Sequence, residues 1–362
     1  MKILVVQDRL RSGGTERQSI LLANAFAGAR HETTLLTFRP GGALENTVAS
    51  NVTRRVLQPF GTGMDWFAPG LPRAVAKIAP DVILCMGRMA NCYAGGLQER
   101  FPSTTVIATM RTGKNLPRLF RRSLGIVRHV VANSNEARSN LIAQHNLAPE
   151  RVSVIHNSLV FFETQPDGTR ETVREELGTS YPTIVMLCVA MFRPEKNQRE
   201  LIEIVSELPG DFDWELWLAG DGPARALCEK LAKEKPCANR IRFLGWRSNP
   251  AALYTASDIA VHASSSEALS NFLIEAQAQG LPVVAYDTQG ITECFVPGNT
   301  GFAIKRDDRD AFRAKIVRLG SAETADRATL AWQACDFAMS SFDHDRQVGK
   351  YLDLFKKLAP QK

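Results

Sequence analysis

The chain has 362 residues, of which 44% are hydrophobic and 23% are charged. These values exclude a mainly disordered protein, and the length predicts two domains of about 150–200 residues each. The net charge of +6 favours anionic partners, a class that includes anionic lipid, nucleic acid and phosphorylated substrates.

The chain carries neither a cysteine framework nor an evident targeting segment. Its seven cysteines are scattered, and none forms a C-x-x-C pair, which predicts free thiols in a reducing compartment and no metal site. The apolar run at residues 3–6 is too short for a signal peptide, and no stretch reaches the about 18 apolar residues of a membrane-spanning helix. We therefore expect a cytoplasmic protein that can also sit peripherally on the inner face of the cell membrane.

Short apolar runs rich in β-branched residues alternate with helical stretches along the chain. Continuous apolar runs in this alternation predict buried parallel strands in βαβ units. Seven runs in the first half and six in the second predict two doubly wound, Rossmann-like α/β domains. The predicted strands are 3–6, 34–38, 52–57, 82–85, 105–109, 129–132 and 152–155, then 183–190, 214–219, 241–244, 259–262, 283–286 and 301–304.

A turn-rich segment at residues 166–182 breaks this rhythm, and we predict that it is the linker. We assign residues 1–165 to an N-terminal domain and residues 183–340 to a C-terminal domain. Residues 341–362 are predicted to be helical, because Val348, Tyr351, Leu352 and Phe355 share one face.

Gly13 and Gly14 follow the first predicted strand. Because they lack a Cβ, both can bring backbone N–H groups close to a phosphate or a sugar, although a plain turn is the alternative. The absence of G-x-G-x-x-G at this point argues against a nicotinamide cofactor.

Residues 111–128 contain six cations and no acid. Three of them, Arg118, Arg121 and Arg122, share one face of a predicted helix. Apolar residues lie between the cations, and this combination is typical of a surface for anionic membrane or for a lipid diphosphate; the alternative is a solvated basic face. The cations are Arg111, Lys114, Arg118, Arg121, Arg122 and Arg128, and the apolar residues are Leu116, Leu119, Phe120, Leu124 and Val127.

Two glutamates, Glu267 and Glu275, are separated by seven residues near the end of the second strand set. Ser270 and Asn271 fall where a helix is predicted to begin, and the unpaired N–H groups of a helix N-terminus suit a diphosphate. Glu275, about one turn further along, can accept hydrogen bonds from ribose hydroxyls. Taken alone, the pair is equally compatible with an ordinary helix that carries two incidental acids.

The flanking sequence resembles glycosyltransferase family 4, a family of retaining enzymes with the GT-B fold of two Rossmann-like domains facing across a cleft. The resemblance extends over nearly the whole chain, and the Glu267–Glu275 block with its flanks is its most specific part. Supporting segments follow in the same order as in the family. They are residues 13–17 (GGTER), 131–134 (VANS), 154–158 (VIHNS), 193–197 (RPEKN), 218–223 (LAGDGP), 243–245 (FLG), 280–285 (GLPVVA) and 298–301 (GNTG).

The resemblance implies roles for the donor-side residues. Arg193 and Lys196 would bind the donor diphosphate without a metal ion. The family's usual arginine aligns with Met191, and we expect Arg193 to replace it. Glu267 would lie beside the transferred sugar and stabilise positive charge at its anomeric carbon.

The remaining roles follow from the same resemblance. Gly13, Gly14, Ser270, Asn271 and Glu275 would complete the donor site in the cleft. The last helix, 341–362, would return to the N-terminal domain.

The acceptor side departs from the family pattern. Many relatives carry a histidine after the strand that here ends before Arg111, and an arginine cannot act as a base at neutral pH. The donor phosphate would then activate the acceptor hydroxyl, and Arg111, Lys114 and Arg118 are the predicted acceptor-binding residues. His129, His156 and His262 lie in or beside strands and are predicted to be structural.

The predicted function is retaining, metal-independent transfer of a sugar from a nucleotide-diphosphate sugar, with UDP as the expected carrier. The expected acceptor is a saccharide or lipid-linked molecule of polysaccharide, lipopolysaccharide or glycolipid biosynthesis, and no cofactor is expected. A nucleotide-sugar epimerase or hydrolase on the same fold is the first alternative. A basic nucleic-acid-binding protein is the second, although interleaved aromatic residues and a binding module are missing.

Overall fold

A computed structural model describes residues 1–159, 169–247 and 250–359. The described chain divides into two units. The first contains Met1–Ser158 and His344–Lys362, and the second contains Leu159–Asp343. Each unit has its own parallel sheet with helices on both faces.

Seven parallel strands form the sheet of the first unit. The central strands are apolar runs buried on both faces, whereas the edge strand, Thr53–Val56, is exposed along its whole length. The seven strands are β1 (Lys2–Gln7), β2 (Glu32–Thr37), β3 (Thr53–Val56), β4 (Val82–Cys85), β5 (Thr105–Met110), β6 (His129–Ala132) and β7 (Val152–Val154). Their order is β3-β2-β1-β4-β5-β6-β7, so the connections reverse direction beside β1. Ligands of such sheets bind beyond the carboxyl ends of the strands, at this reversal point.

Helices cover both faces of the first sheet. The helices are α1 (Gly14–Gly28), α2 (Leu71–Ile78), α3 (Arg88–Arg100), α4 (Arg118–Ile126), α5 (Asn135–His145) and α13 (His344–Leu358). Helices α2 to α5 pack on one face, and α1 and α13 pack on the other. The rings of Phe26 on α1 and Phe355 on α13 lie 5.3 Å apart, which ties the end of the chain to the first unit.

The sheet of the second unit has six parallel strands. They are β8 (Ile184–Val189), β9 (Trp214–Ala219), β10 (Ile241–Gly245), β11 (Ile259–His262), β12 (Val283–Tyr286) and β13 (Gly301–Ile304). In the order β10-β9-β8-β11-β12-β13, the reversal point lies between β8 and β11. The helices are α6 (Arg170–Glu176), α7 (Gln198–Val205), α8 (Arg225–Lys233), α9 (Ala251–Ala256), α10 (Asn271–Ala278), α11 (Arg309–Gly320) and α12 (Thr324–Phe342).

The two predicted strand sets, seven and six, are confirmed. The unit boundary differs from the predicted one, because residues 170–176 of the predicted linker form α6 and belong to the second unit. Arg174 explains this: its guanidinium donates to Asp258 at 2.6 Å and to the Thr183 carbonyl at 3.0 Å, which anchors α6 to the second sheet. Residues 166–168 of the predicted linker lie outside the described residues.

None of the helices in the described ranges combines the length and the apolar character that crossing a membrane requires.

The packing of α13 on the first sheet predicts a stability effect. Phe355 is fully buried, so Phe355→Ala should lower the free energy of unfolding of the first unit by about 3–5 kcal/mol. Lys356→Ala, a change at the exposed neighbouring position, should alter it by less than about 0.5 kcal/mol. Urea denaturation followed by fluorescence measures this, because Trp66 is the single tryptophan of the first unit. Equal midpoints for the two variants would contradict the packing role.

Candidate functional site

The second unit brings two predicted site residues into direct contact at its reversal point. Lys196 ends a short 3-10 helix, Pro194–Lys196, that follows β8, and Glu267 lies in the loop that follows β11. The ammonium of Lys196 donates to Oε1 of Glu267. Glu267 is only 8% exposed, so this contact places a buried carboxylate next to a cation.

A third residue, His262, completes this cluster. His262 is the last residue of β11, and its Nε2–H donates to the same Oε1 of Glu267 at 2.8 Å. Both hydrogen bonds fall on Oε1, which leaves Oε2 without a partner among the described residues. We name Lys196, His262 and Glu267 the carboxylate cluster.

The electrostatics of the carboxylate cluster follow from burial and charge. Burial alone would raise the pKa of Glu267, but the charge of Lys196 and the hydrogen bond from His262 hold that pKa below its ordinary value. Burial lowers the pKa of His262, against the opposing effect of Glu267. At neutral pH the cluster therefore contains an anionic glutamate and a neutral histidine, whose Nδ1 is buried without a partner within the described chain.

The loop after β11 is held in place by a serine turn. The backbone N–H of Ser265 donates to the Glu195 carbonyl at 2.8 Å, and the Ser264 hydroxyl donates to the same carbonyl at 2.9 Å. These bonds fasten the Glu267 loop to the turn that carries Lys196. Gly290 supports the loop from the other side: its φ is +74°, and a Cβ there would lie 1.8 Å from the carbonyl oxygen of Ala268.

The other donor-side residues lie on the same connections. Ser270 is buried and precedes α10, which begins at Asn271, as predicted. Glu275 lies on α10, and its Oε2 accepts a hydrogen bond of 2.8 Å from Tyr254. Arg193 comes just before the 3-10 helix, and its guanidinium forms no ion pair with any described residue.

Gly13 and Gly14 lie at the start of α1 in the first unit, where the sequence placed them after the first strand. A Cβ on Gly13 would lie 2.5 Å from Oε2 of Glu16, so the Glu16 carboxylate folds back over this helix terminus. A glutamate at this third helical position is a typical partner of the helix start. A phosphate at this position would have to share the helix terminus with that carboxylate.

Arg111, predicted to bind the acceptor, follows β5 in the first unit and makes intramolecular contacts there. Its guanidinium donates to Asn157 Oδ1 at 2.5 Å and to the Tyr351 hydroxyl at 2.7 Å, while its Nε is buried without a partner in the described chain. Lys114 and Arg118 are exposed. Arg111 therefore joins β5, the segment after β7 and helix α13.

Three residues whose contacts lie at the carboxyl ends of strands or beside a predicted site residue were not predicted as site residues. His262 was predicted to be structural, and Tyr254 has no local sequence signal. Asp8, directly after β1, accepts N–H groups of Met89 and Ala90 at the start of α3 at 3.0 and 2.7 Å. Burial raises the pKa of Asp8 to about 6, and these two hydrogen bonds oppose the rise.

A buried carboxylate, a cation and a helix start thus follow neighbouring strands at the reversal point of the second sheet. The model for glycosyl transferases group 1 matches residues 169–330, and the model for glycosyltransferase family 4 matches residues 12–159. The chain belongs to glycosyltransferase family 4, and its two parallel sheets form the GT-B fold.

Individual relatives agree with this assignment. The lipopolysaccharide core biosynthesis glycosyltransferase LpsE of Rhizobium meliloti is 32% identical over 50% of this chain and 52% of its own length. The D-inositol 3-phosphate glycosyltransferase of Corynebacterium glutamicum is 27% identical over 62% of this chain and 59% of its own. The chain spans about half the length of the curated relatives it matches, including LpsE.

Solved structures show the same fold. HepE of Anabaena, solved in complex with UDP, superposes with a TM-score of 0.83 at 22% identity, over 99% of this chain and 100% of that one. WaaG, a glycosyltransferase involved in lipopolysaccharide biosynthesis, superposes with a TM-score of 0.76 at 16% identity, over 98% and 99% of the two chains.

The carboxylate cluster predicts a pH-dependent stability effect. Lys196→Met should lower the free energy of unfolding at neutral pH by about 3 kcal/mol, because it leaves the Glu267 charge buried without its cation. The pKa of Glu267 then rises, so the deficit should shrink as the pH falls and the carboxyl becomes protonated.

The matched control is Lys196→Met combined with Glu267→Gln, which removes both charges and should recover most of the loss at neutral pH. Thermal unfolding across pH 4–8 compares the variants. A deficit that does not change with pH would show that Lys196 acts through packing and not through the charge of Glu267.

Proposed function

We propose that the chain is a retaining glycosyltransferase that moves a sugar from a UDP-sugar to a saccharide or lipid-linked acceptor. The observation that carries this proposal is the carboxylate cluster, in which Glu267 is kept anionic at the reversal point of the second sheet. The naming of LpsE and WaaG for lipopolysaccharide biosynthesis supports a role in assembling lipopolysaccharide, another surface polysaccharide or a glycolipid.

The donor diphosphate would lie beside Arg193, Lys196 and the start of α10 at Ser270 and Asn271. The guanidinium of Arg193 has no ionic partner among the described residues, so it can bind a phosphate without first breaking an ion pair. Glu275 is oriented by Tyr254 and would accept hydrogen bonds from the ribose. The complexes of HepE with UDP, and with UDP and glucose, support UDP as the carrier.

Glu267 would act on the transferred sugar through its unpartnered oxygen, Oε2. An anion held there stabilises the positive charge that develops at the anomeric carbon as the bond to the donor phosphate breaks. Because Lys196 and His262 both bind Oε1, the carboxylate cannot rotate freely, and Oε2 has a fixed direction. Glu267 is therefore proposed to orient and stabilise the sugar, and no covalent intermediate is required.

Retention would follow from attack on the face that the phosphate leaves. The acceptor oxygen forms the new bond to the anomeric carbon, the bond to the phosphate oxygen breaks, and the acceptor proton passes to that phosphate oxygen. Arg111 does not supply a base, because a guanidinium stays protonated at neutral pH. Its bonds to Asn157 and Tyr351 favour a role in positioning the acceptor side of the first unit.

We further propose that transfer is independent of a divalent metal and of a cofactor. Arg193, Lys196 and the N–H groups at the start of α10 together supply positive charge for the leaving diphosphate. Activity should therefore survive dialysis against EDTA. Complete loss that Mg²⁺ or Mn²⁺ restores would contradict this part of the proposal.

Proton NMR of the product tests the reaction itself. Incubation with a UDP-sugar and acceptor should give a new glycoside whose anomeric configuration equals that of the donor. Incubation with donor alone separates the alternatives, since an epimerase would isomerise the sugar and a hydrolase would release it. A product of inverted configuration would overturn the retaining assignment, and oligonucleotide binding without UDP binding would overturn the function.

The two glutamates should respond differently to substitution. Glu275→Gln should weaken UDP binding about 10- to 150-fold, because a charge-assisted contact to the ribose is lost. Glu267→Gln should leave UDP binding nearly unchanged and lower turnover by at least about 100-fold. Titration calorimetry with UDP and initial rates measure these effects, with Glu234→Gln, at an exposed position, as the control. The opposite pattern would mean that the two roles are exchanged.

A further inference from the structure

The exposed apolar side chains of the first unit are concentrated in one place. Six large apolar residues in the described part of this unit are at least 36% exposed, and all lie in segment 56–67 or on α4. Among them, Phe60 is 69% exposed, Trp66 is 58% exposed and Leu119 on α4 is 62% exposed. Clustering of this kind marks an interaction surface, whereas isolated exposed apolar residues do not. The six are Val56, Phe60, Met64, Trp66, Phe67 and Leu119.

Most of these residues belong to the loop 59–70 between β3 and α2, which we name the aromatic loop. Its polar anchor is Gln58, which is 1% exposed. The Gln58 amide donates to the carbonyls of Met64 at 3.0 Å and Phe67 at 2.6 Å, and it accepts from the Thr62 hydroxyl at 2.7 Å. Backbone carbonyls of the loop are thus bound by a buried side chain, while the rings of Phe60 and Trp66 are exposed.

Contacts with the rest of the first unit hold the aromatic loop further. Asp65 accepts a hydrogen bond of 2.7 Å from Arg39 and another from Arg11. The Tyr93 hydroxyl on α3 donates to the Trp66 carbonyl at 2.6 Å. The rings of Phe60 and Trp66 are therefore presented by a framework that fixes their backbone.

The surrounding segment is strongly basic. Residues 54–128 contain twelve Lys and Arg against three Asp and Glu, a net charge of +9, whereas the whole chain carries +6. The rest of the chain is therefore slightly acidic, and the positive charge is concentrated in this part of the first unit. Exposed cations lie on all three helices of this segment, and they include Arg73, Arg100, Arg118, Arg121 and Arg122.

The aromatic loop and the basic helices lie on the same side of the first sheet. Helices α2, α3 and α4 pack on one face, and the loop leads directly into α2. A cavity of about 630 Å³ lies between these helices, lined by Tyr93, Leu119 and Ile126, with Arg100 and Arg122 also on its wall. On α4, Phe120 and Leu124 are buried in the core, Ile126 is half-buried, and Leu119 is exposed.

We propose that the aromatic loop and α4 dock the first unit on an anionic lipid bilayer, with Phe60 and Trp66 entering the interface and Arg118, Arg121 and Arg122 binding lipid phosphates. Aromatic rings beside basic residues are the composition that suits the boundary between headgroups and acyl chains. The inference rests on the proposed function only in that the bilayer would carry the lipid-linked acceptor. Binding itself requires neither donor nor acceptor.

This arrangement predicts two separable contributions to binding. Attraction of the three arginines to anionic lipid falls with ionic strength, because the Debye length shrinks to about 3 Å at 1 M salt. The contribution of buried rings does not fall in this way. Vesicle binding should therefore weaken with salt but reach a residual level that depends on the aromatic loop.

The experiment is co-flotation with vesicles of phosphatidylethanolamine and phosphatidylglycerol at low salt and at about 1 M NaCl. Phe60→Ala with Trp66→Ala should reduce binding at least about 10-fold at both salt concentrations. Arg118→Gln with Arg121→Gln and Arg122→Gln should reduce it at low salt only. Trp332→Ala is the matched control, because Trp332 is 68% exposed but lies on α12 of the second unit.

Fluorescence supplies an independent readout. Vesicles containing nitroxide-labelled lipid should quench the wild-type protein, and Trp66→Phe should abolish that quenching while Trp332→Phe keeps it. UDP titration of each variant checks that the second unit is intact and tests the donor site separately. Unchanged flotation of the Phe60 and Trp66 variant, no quenching of Trp66, or no vesicle binding at all would overturn the proposal. UDP binding that fails while vesicle binding persists would instead remove the proposed function alone.

Discussion

The ion pair between Lys196 and Glu267 is the interaction on which the candidate site depends. A buried carboxylate is stable as an anion only when a cation or hydrogen-bond donors compensate for lost hydration. Here one oxygen receives both the Lys196 ammonium and the His262 N–H, so the charge is compensated on one side of the group. The other oxygen, Oε2, has no partner in the described chain. Because both hydrogen bonds hold Oε1, the orientation of Oε2 is fixed.

The sheet topology explains why such an ion pair can form between residues that are 71 positions apart. Because β8 and β11 are neighbours, the segments that follow them leave the same edge of the sheet side by side. The serine turn then joins the two segments through the Glu195 carbonyl. Fold and site are therefore linked: a shift in the pairing of β8 with β11 would separate the ammonium from the carboxylate.

Local sequence patterns were sufficient for the fold and insufficient for the contacts of the site. Apolar runs predict both strand sets, because buried parallel strands need continuous apolar sequence. The pairing of His262 with Glu267 has no such pattern, since a histidine at a strand end is equally compatible with a structural role. Tyr254 orients Glu275 from a different helix, α9, and only the packing of α9 near α10 reveals this.

For Gly13 and Arg111, the sequence predicts the position in the fold but not the contacts that each residue makes. Gly13 lacks a side chain as a phosphate loop requires, yet Glu16 lies over it, and the sequence alone does not specify where that carboxylate folds. Arg111 was predicted from its position after β5, but its bonds to Asn157 and Tyr351 depend on the placement of α13. A residue's type and strand position identify the edge of the sheet at which it lies. Its partners are set by elements that are distant in sequence.

The two units differ in how positive charge and exposed aromatic rings are distributed in them. In the second unit, the cation Lys196 at the site is paired with one buried acid, Glu267. In the first unit, residues 54–128 contain twelve cations and three acids, and several of the cations are exposed on α2, α3 and α4. An excess of like charge destabilises the compact state through self-repulsion. Aromatic rings that are exposed to water carry a separate hydrophobic cost. Contact with an anionic, partly apolar surface would reduce both the charge repulsion and the exposure of the rings. We therefore interpret the basic helices and the aromatic loop as parts of one docking surface.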